Sequence, residues 1–200
     1  MMNFLTKTAA ALALAGMLAA TPAHAGWRLV EAGDSRKVAR SNLVVTPPED
    51  WNRATERPTS RSEIWTTEGT QLTELMFYGK IKDGETLFKR NQRKRNPLPE
   101  FSATMLPTDL VEWYEDTANI VLGGSLFQIV EVRPATLGGY PGVHFRYSYT
   151  GGDNVARLGE VRAAIIDKKL YLISFEAPEI HYFDRYITGV RAMMDGARFE

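Results

Sequence analysis

His144 and His181 are the two histidines outside the first 25 residues, and imidazole is the side chain best suited to proton transfer or metal binding near neutral pH. His144 lies in an alternating segment, on the face opposite Phe145 and Tyr147. Four carboxylates are candidate additional metal ligands: Glu160, Glu176, Glu179 and Asp184. No spacing among them requires a metal, so we expect hydrogen-bonded structural histidines and no metal site. A small hydrolase that uses a pocket near His144 and His181 is the enzymatic alternative.

Nucleophilic catalysis has no recognisable motif in this chain. The sequence contains no cysteine and no Gly-x-Ser-x-Gly pentapeptide, and Ser125 follows two glycines with no base implied nearby. A Ser-His-Asp set assembled from distant parts of the chain stays open, because geometry defines such a set. The glycine pairs at 138–139 and 151–152 separate strand patterns, which is typical of hairpin turns and not of phosphate-binding loops. We therefore expect no catalytic residue and no cofactor.

A basic segment is the most pronounced charge feature of the sequence. Five cations fall within seven residues, with no acid among them: Lys89, Arg90, Arg93, Lys94 and Arg95. Such a segment can contact an anionic partner, for example a phospholipid surface or an acidic patch on another protein. The alternative is a solvated loop whose charges pair with the acidic side of the following helix, around Glu112 and Glu115. The five cations are thus the predicted partner-binding residues.

The first 25 residues are typical of a secretion signal. Lys7 precedes an apolar run, 9–20, that is too short to span a bilayer, and Ala23-His24-Ala25 is a typical cleavage site. Cleavage after Ala25 predicts a periplasmic or secreted chain of 175 residues, 26–200, which is the length of one domain. This part has 23 basic and 24 acidic residues, a balance that gives no argument for nucleic-acid binding, and no apolar run long enough to cross a membrane.

The segment 138–177 predicts three consecutive antiparallel strands. Apolar and polar residues alternate in 143–149 and in 158–166, and each stretch ends in a short polar turn. The third strand, 170–177, is apolar at nearly every position, so we expect it to be central and covered on both faces. Three tyrosines share the strand period and are expected in the core, with a ligand groove as the alternative: Tyr147, Tyr149 and Tyr171.

Two helices and further short strands complete the predicted domain. Apolar residues at steps of three and four predict a helix with Thr108 as its N-cap and Gly123-Gly124 at its end, and a second helix that begins near Pro178-Glu179. The region 86–105 has no period and is predicted to be a long loop. Other strand patterns are 27–30, 42–46, 62–67, 72–81 and 127–133. Strands grouped between helices indicate an α+β fold, a mainly antiparallel sheet with helices packed on it.

Four segments occur in an order that resembles a known superfamily. They are Val-Thr-Pro-Pro-Glu-Asp-Trp (45–51), the Gly-rich turn and strand 139–149, Lys-Leu-Tyr-Leu-Ile-Ser-Phe (169–175) and Ala-Pro-Glu-Ile-His-Tyr-Phe (177–183). This order resembles the PsbP-like α/β/α sandwich superfamily, which includes photosystem extrinsic subunits, Ran-binding Mog-like proteins and periplasmic DcrB-like proteins. The resemblance covers most of the chain after residue 25. It implies an α/β/α sandwich and a binding or accessory role, and it transfers no functional residue by position.

The secretion signal and the resemblance together predict a non-catalytic binding or accessory protein of the bacterial cell envelope. Its expected partner is another envelope protein or an anionic surface, and the chain is expected to be a monomer. Besides the hydrolase, the alternative is a ligand-binding protein, which would need an apolar pocket of at least roughly 300 Å³ between the sheet and a helix.

Overall fold

A computed structural model describes residues 26–89, 97–123 and 126–200. The strands are β1 (Trp27–Val30), β2 (Arg36–Lys37), β3 (Leu43–Val45), β4 (Trp51–Ala54), β5 (Ser62–Thr66), β6 (Glu74–Ile81), β7 (Gln128–Leu137), β8 (Tyr140–Thr150), β9 (Ala156–Ile166), β10 (Lys169–Pro178) and β11 (Arg198–Phe199). The helices are α1 (Pro107–Leu122) and α2 (Asp184–Asp195). Eight strands form one antiparallel sheet in the order β1-β4-β5-β6-β10-β9-β8-β7, and a small second sheet has the order β11-β3-β2.

The predicted three-stranded meander is confirmed as β8, β9 and β10. Strand β10 lies between β6 and β9, so it is central. Its side chains pack into two hydrophobic cores, one on each face of the sheet. Leu170 and Leu172 face one side, whereas Tyr171 and Ile173 face the other, as the period of two requires. An apolar strand of this kind is stable only where both faces are covered.

Each face of the large sheet is covered by one helix, which confirms the predicted α+β class and α/β/α sandwich. On one face, which we call the α1 face, Leu110 and Tyr114 of α1 pack against Phe145 and Tyr147 of β8. On the other, the α2 face, Ile187, Val190 and Met194 pack with Trp51, Phe175 and the small sheet. The sequence patterns did not predict the small sheet, because two of its strands have only two residues.

Helix α1 begins at Pro107, two residues before the start that Thr108 as N-cap would give. Pro107 occupies its first turn, and the Asp109 carboxylate accepts a hydrogen bond of 2.8 Å from the Leu106 backbone N–H. Leu106, and not Thr108, therefore precedes the helix. The predicted end is confirmed, because Gly123 has a φ of +66°, a left-handed conformation that glycine adopts without strain.

Helix α2 begins at Asp184, and the predicted start at Pro178 is wrong. Pro178 is still paired with Arg157 across the sheet, so the backbone must turn before the helix can form. Residues Ile180 and His181 make that turn with non-helical backbone angles, and His181 has a φ of +74°. Ile180 is consequently 84% exposed instead of belonging to the buried helical stripe.

Candidate functional site

A partly open cavity of about 170 Å³ lies between α1 and strands β6, β8 and β10. Its walls are mostly apolar and come from the sheet, from α1 and from the ends of the adjacent loops: Met76, Leu87, Phe88, Val121, Leu122 and Phe127. Its polar side is formed by Glu74 and Glu176 together with the tyrosines at 114, 147 and 149. The volume is below the roughly 300 Å³ expected of a pocket for a drug-sized ligand, so the cavity admits a group the size of one side chain.

The register of the sheet places the polar residues of the cavity in one row. Tyr147 of β8 pairs with Gly159 of β9, Gly159 with Glu176 of β10, and Glu176 with Glu74 of β6. The Tyr147 ring lies directly over Gly159, because a Cβ added at Gly159 would come within 2.0 Å of that ring. Glycine at this position therefore lets the tyrosine cross the middle strand and reach Glu176.

Glu176 is held by two tyrosines. The Tyr147 hydroxyl donates to Oε2 of Glu176 at 2.8 Å, and the Tyr149 hydroxyl donates to Oε1 at 2.7 Å. The Tyr114 hydroxyl lies 3.1 Å from the Ser174 hydroxyl and 3.4 Å from that of Tyr147. Burial, followed by the charge of Glu176, raises the pKa of all three tyrosines, so their hydroxyls remain protonated donors at neutral pH.

Glu74 lies opposite Glu176 and receives no hydrogen bond from a tyrosine. Within the described residues its carboxylate accepts no hydrogen bond and forms no ion pair. Burial, and secondly the neighbouring charge of Glu176, raises the pKa of Glu74 to about 8. Two ionised carboxylates directly opposite each other on adjacent strands repel, so at pH 7 Glu74 keeps its proton.

A second polar cluster lies on the α2 face and is built around the carboxylate of Glu160. Nε2 of His144 donates to Oε1 of Glu160 at 2.6 Å, and Arg191 of α2 binds both oxygens of the same carboxylate at 2.6–3.1 Å. His144 and Glu160 are 1% and 0% exposed. Arg146 adds a more distant charge, 3.9 Å from Glu160.

The Glu160 cluster ties α2 to the sheet. Burial by itself would raise the pKa of Glu160, but the hydrogen bonds from His144 and Arg191 outweigh it and hold that pKa at about 2. Both lone-pair regions of the carboxylate are thus occupied by donors, and His144 is a hydrogen-bonded structural histidine. The prediction that His144 faces away from Phe145 and Tyr147 is confirmed.

The structure brings together only part of the histidine-based site considered from the sequence. Glu160 contacts His144, whereas Glu176 lies on the opposite face of the sheet. His181 is exposed, and its ring packs against Tyr182. In residues 26–89, 97–123 and 126–200, no three His, Asp or Glu side chains are grouped closely enough to hold a metal ion. The cavity below α1 is lined by neither histidine.

The tyrosines and the basic segment have separate outcomes. Tyr171 is a core residue of the α2 face, as expected, and its hydroxyl donates to Asn42. Tyr147 and Tyr149 are also buried, but they line the cavity.

Lys89 is exposed, one residue after Phe88 of the cavity wall. The other predicted partner-binding residues lie outside the described residues: Arg90, Arg93, Lys94 and Arg95. No helix in the described part of the chain is long and apolar enough to cross a membrane.

The Glu74–Glu176 pair was not found from the sequence. Glu176 was considered only as a metal ligand for the histidines. One signal was available, because Glu176 continues the period-two series Leu170, Leu172, Ser174 in a strand predicted to be buried on both faces. A carboxylate at such a position needs a partner or a function.

Comparisons with known proteins support the fold. No protein-family model matches the chain, and no curated protein matches its sequence. The solution structure of cyanobacterial PsbP (CyanoP) from Synechocystis sp. PCC 6803 is similar, with a TM-score of 0.52 and 13% identity, over 90% of this chain and 96% of that one. The crystal structure of LpqN, involved in cell envelope biogenesis of Mycobacterium tuberculosis, has a TM-score of 0.36 and 11% identity, over 88% and 86%.

The architecture and the first of these likenesses define the class of protein. An antiparallel sheet between two helices, in the chain order described above, is a PsbP-like α/β/α sandwich. At 13% identity the likeness is one of fold, so functional residues have to be argued from this chain itself.

Proposed function

We propose that residues 26–200 form an exported, non-catalytic binding or accessory protein of the bacterial cell envelope. Export is supported by the secretion signal in the first 25 residues, which lies outside the described residues. The observation that carries the binding role is the cavity beneath α1, which is apolar on its walls and has a few convergent polar groups. That combination is typical of a recognition pocket, and the volume of about 170 Å³ limits the recognised group to the size of one side chain.

The chemistry of the cavity favours binding over catalysis. Its hydroxyls belong to tyrosines, whose raised pKa values make them poor nucleophiles, and to Thr117, which donates to the Trp113 backbone carbonyl at 2.8 Å. Both histidines lie elsewhere. A carboxyl with a raised pKa beside a second carboxylate also occurs in glycosidases, but a cavity of about 170 Å³ cannot enclose two sugar rings. Turnover of a glycan or ester by the wild type, lost in both Glu74→Gln and Glu176→Gln, would contradict the non-catalytic role.

The partner-binding surface that we propose is the basic segment Lys89, Arg90, Arg93, Lys94 and Arg95. Exposure of Lys89 supports it. The chain on both sides of the segment is held in the protein, because Leu87 before it and Phe101 after it are both 1% exposed. Backbone hydrogen bonds of 2.8 Å join Gly84 to Phe101 and Phe101 to Glu85. An anionic protein patch or lipid surface is the matching partner chemistry.

The test is in-cell crosslinking and recovery of the mature protein, beside a variant in which Arg90, Arg93, Lys94 and Arg95 are changed to Glu. We expect a discrete envelope partner to be recovered with the wild type and lost with the variant. The matched control reverses four exposed cations elsewhere and should keep the partner: Arg28, Lys37, Arg40 and Lys168. Equal recovery by all three proteins would place the contact outside the basic segment.

A further inference from the structure

We propose that the cavity beneath α1 binds a small organic cation, an ammonium or guanidinium group carried on a short aliphatic chain. This inference rests on the proposed binding role and names the chemistry of the ligand. It follows from the shape of the cavity, the charges around it and the contrast with two fully buried carboxylates, Glu63 and Glu160.

The size and walls of the cavity match an aliphatic chain. A cavity of about 150 Å³ holds a benzene molecule, so about 170 Å³ accommodates roughly six non-hydrogen atoms. Met76, Leu87 and Phe127 offer an apolar surface to such a chain. A hydrated inorganic ion would be poorly matched, because apolar walls cannot replace its water ligands.

The charges at the cavity are negative. Glu74 and Glu176 line it, and its described lining residues include no Lys, Arg or His. The last turns of α1 also lie on it, and no basic residue is present in the last turn of that helix. Backbone carbonyls at a helix C terminus carry partial negative charge and favour a cation.

Two fully buried carboxylates, Glu63 and Glu160, have the cationic partners that Glu74 lacks within the described residues. Glu63, 1% exposed, lies 3.5 Å from Arg53 and 3.3 Å from Arg57. Glu160, 0% exposed, is bound by Arg191. Glu74 is half-buried and has no cationic partner in the described part of the protein, yet it faces a space into which a cation can enter. A ligand cation would supply the partner that arginines supply to the other two.

Aromatic rings add a second attraction for a cation. Phe127 stacks on Tyr147 with ring centres 4.8 Å apart, and Tyr149 stacks on both rings at 6.3 Å. All three line the cavity. The face of an aromatic ring attracts an ammonium or guanidinium group, most strongly where water is excluded.

Binding should depend on pH because Glu74 must lose its proton to pair with the cation. With a Glu74 pKa of about 8, affinity for an ammonium ion should rise between pH 6 and pH 9. The other titratable or charged groups around Glu74 are Glu176, Tyr78, Tyr114, Tyr149, and Glu56 and Arg57 in the neighbouring groove. Arg57 is already paired with Glu63, and the tyrosines stay neutral in this range.

The cation has two possible sources, a free amine or the side chain of a lysine or arginine in another protein. An open groove on the other side of Glu74, lined also by Trp27 and Ile64, leaves room for a larger body attached to the cation. Titration with n-butylammonium and with Nα-acetyl-lysine methylamide separates the two sources. Tighter binding of the lysine derivative would favour a protein side chain, and tighter binding of the free amine a metabolite.

Methionine methyl NMR of the mature protein gives a site-specific readout. The methionines after residue 25 are Met76, Met105, Met193 and Met194. Met76 lines the cavity, whereas Met193 and Met194 are buried on the α2 face and serve as internal controls. We expect n-butylammonium to shift the Met76 signal saturably and to leave Met193 and Met194 unchanged. The neutral analogue 1-butanol should bind at least tenfold more weakly.

Matched variants assign the effect to the carboxylates. Glu74→Gln and Glu176→Gln should each weaken ammonium binding at least tenfold and leave 1-butanol binding unchanged. Glu112→Gln, on the exposed side of α1, makes the same charge change and should bind as the wild type does. Ala118→Leu fills the cavity without altering charge and should abolish both interactions. The Met193 and Met194 signals report in each variant whether the fold is intact.

The possible results separate this inference from the proposed function. If 1-butanol binds as tightly as n-butylammonium, the cavity is a recognition pocket but the cation chemistry is wrong. If neither probe shifts Met76 in the folded wild type, the cavity does not bind ligands of this size, and the inference fails together with the cavity-based argument for the binding role. Partner recovery through the basic segment is tested independently of both.

Discussion

The two faces of the central sheet treat buried carboxylates in opposite ways. On the α2 face, Glu160 receives hydrogen bonds from His144 and Arg191, and its pKa falls to about 2. On the α1 face, Glu74 lies opposite Glu176, and its pKa rises to about 8. Two glutamates on either side of β10 therefore differ at pH 7: Glu160 of β9 is ionised, and Glu74 of β6 keeps its proton.

The α2 face is closed by ion pairs to Glu160, whereas the α1 face has a cavity open to a ligand. The buried charge of Glu160 receives all its hydrogen bonds from the protein, and those bonds hold α2 on the sheet. A buried carboxyl beside a like charge and an open cavity is incomplete, because its best electrostatic partner is missing from the described residues. Perturbed pKa values in a cavity are a general sign of function, whereas those in a closed ion pair are not.

The largest expected effect is the loss of the Glu160 cluster. Glu160→Ala leaves His144 buried without its acceptor and frees Arg191, so we expect the free energy of unfolding to fall by about 3–5 kcal/mol. Urea unfolding at pH 7 measures the change. Glu179→Ala, on an exposed residue of the turn before α2, should change stability by no more than about 0.5 kcal/mol. A loss below about 1 kcal/mol for Glu160→Ala would show that the cluster is not the main tie.

The next effect is a pair of opposite pH dependences. The Glu160 contribution is present above pH 4.5 and is lost as the pH falls towards 2, because its folded pKa is lowered. Glu74 has a raised folded pKa, so the protein should lose stability as the pH rises from about 4.5 to about 8. The free energy of unfolding of Glu74→Gln minus that of the wild type should therefore be about 3 kcal/mol larger at pH 9 than at pH 5. This value allows for the partial solvent contact of Glu74.

Denaturant unfolding of wild type and Glu74→Gln at pH 5, 7 and 9 checks this second prediction. Glu112→Gln serves as the control, because it removes one exposed carboxylate from α1 without touching the cavity. Parallel stability curves for wild type and Glu74→Gln would mean that Glu74 is ionised at neutral pH without penalty, and the contrast between the faces would disappear.

The smallest effect compares two tyrosine hydroxyls. Tyr149→Phe removes a hydrogen bond to the charged Glu176, and Tyr171→Phe removes one to the neutral Asn42. Hydrogen bonds to charged groups contribute about 1.5–3 kcal/mol and neutral ones about 1 kcal/mol, so Tyr149→Phe should cost more. Thermal and urea unfolding of the two variants measure the difference. Equal losses would indicate that Glu176 is supported mainly by Tyr147.

Much of the fold could be predicted because its signals are local. The alternation around His144 correctly placed it opposite Phe145, and the continuous apolar run 170–177 correctly placed β10 at the centre of the sheet. The start of α2 could not be predicted in the same way. Ile180 continues the helical period of the sequence, yet the pairing of Pro178 with Arg157 keeps the chain extended up to that point.

The secondary-structure pattern and the fold class of this protein follow from its amino-acid sequence, because the periods of strand and helix depend on neighbouring residues. The candidate site, by contrast, exists only in the folded protein. Glu74 and Glu176 come from strands far apart in the chain, and they meet because the antiparallel register of β6 and β10 pairs them. Register depends on long-range packing, so a shift of one residue would have turned Glu74 to the other face and removed the pair of carboxylates from the cavity.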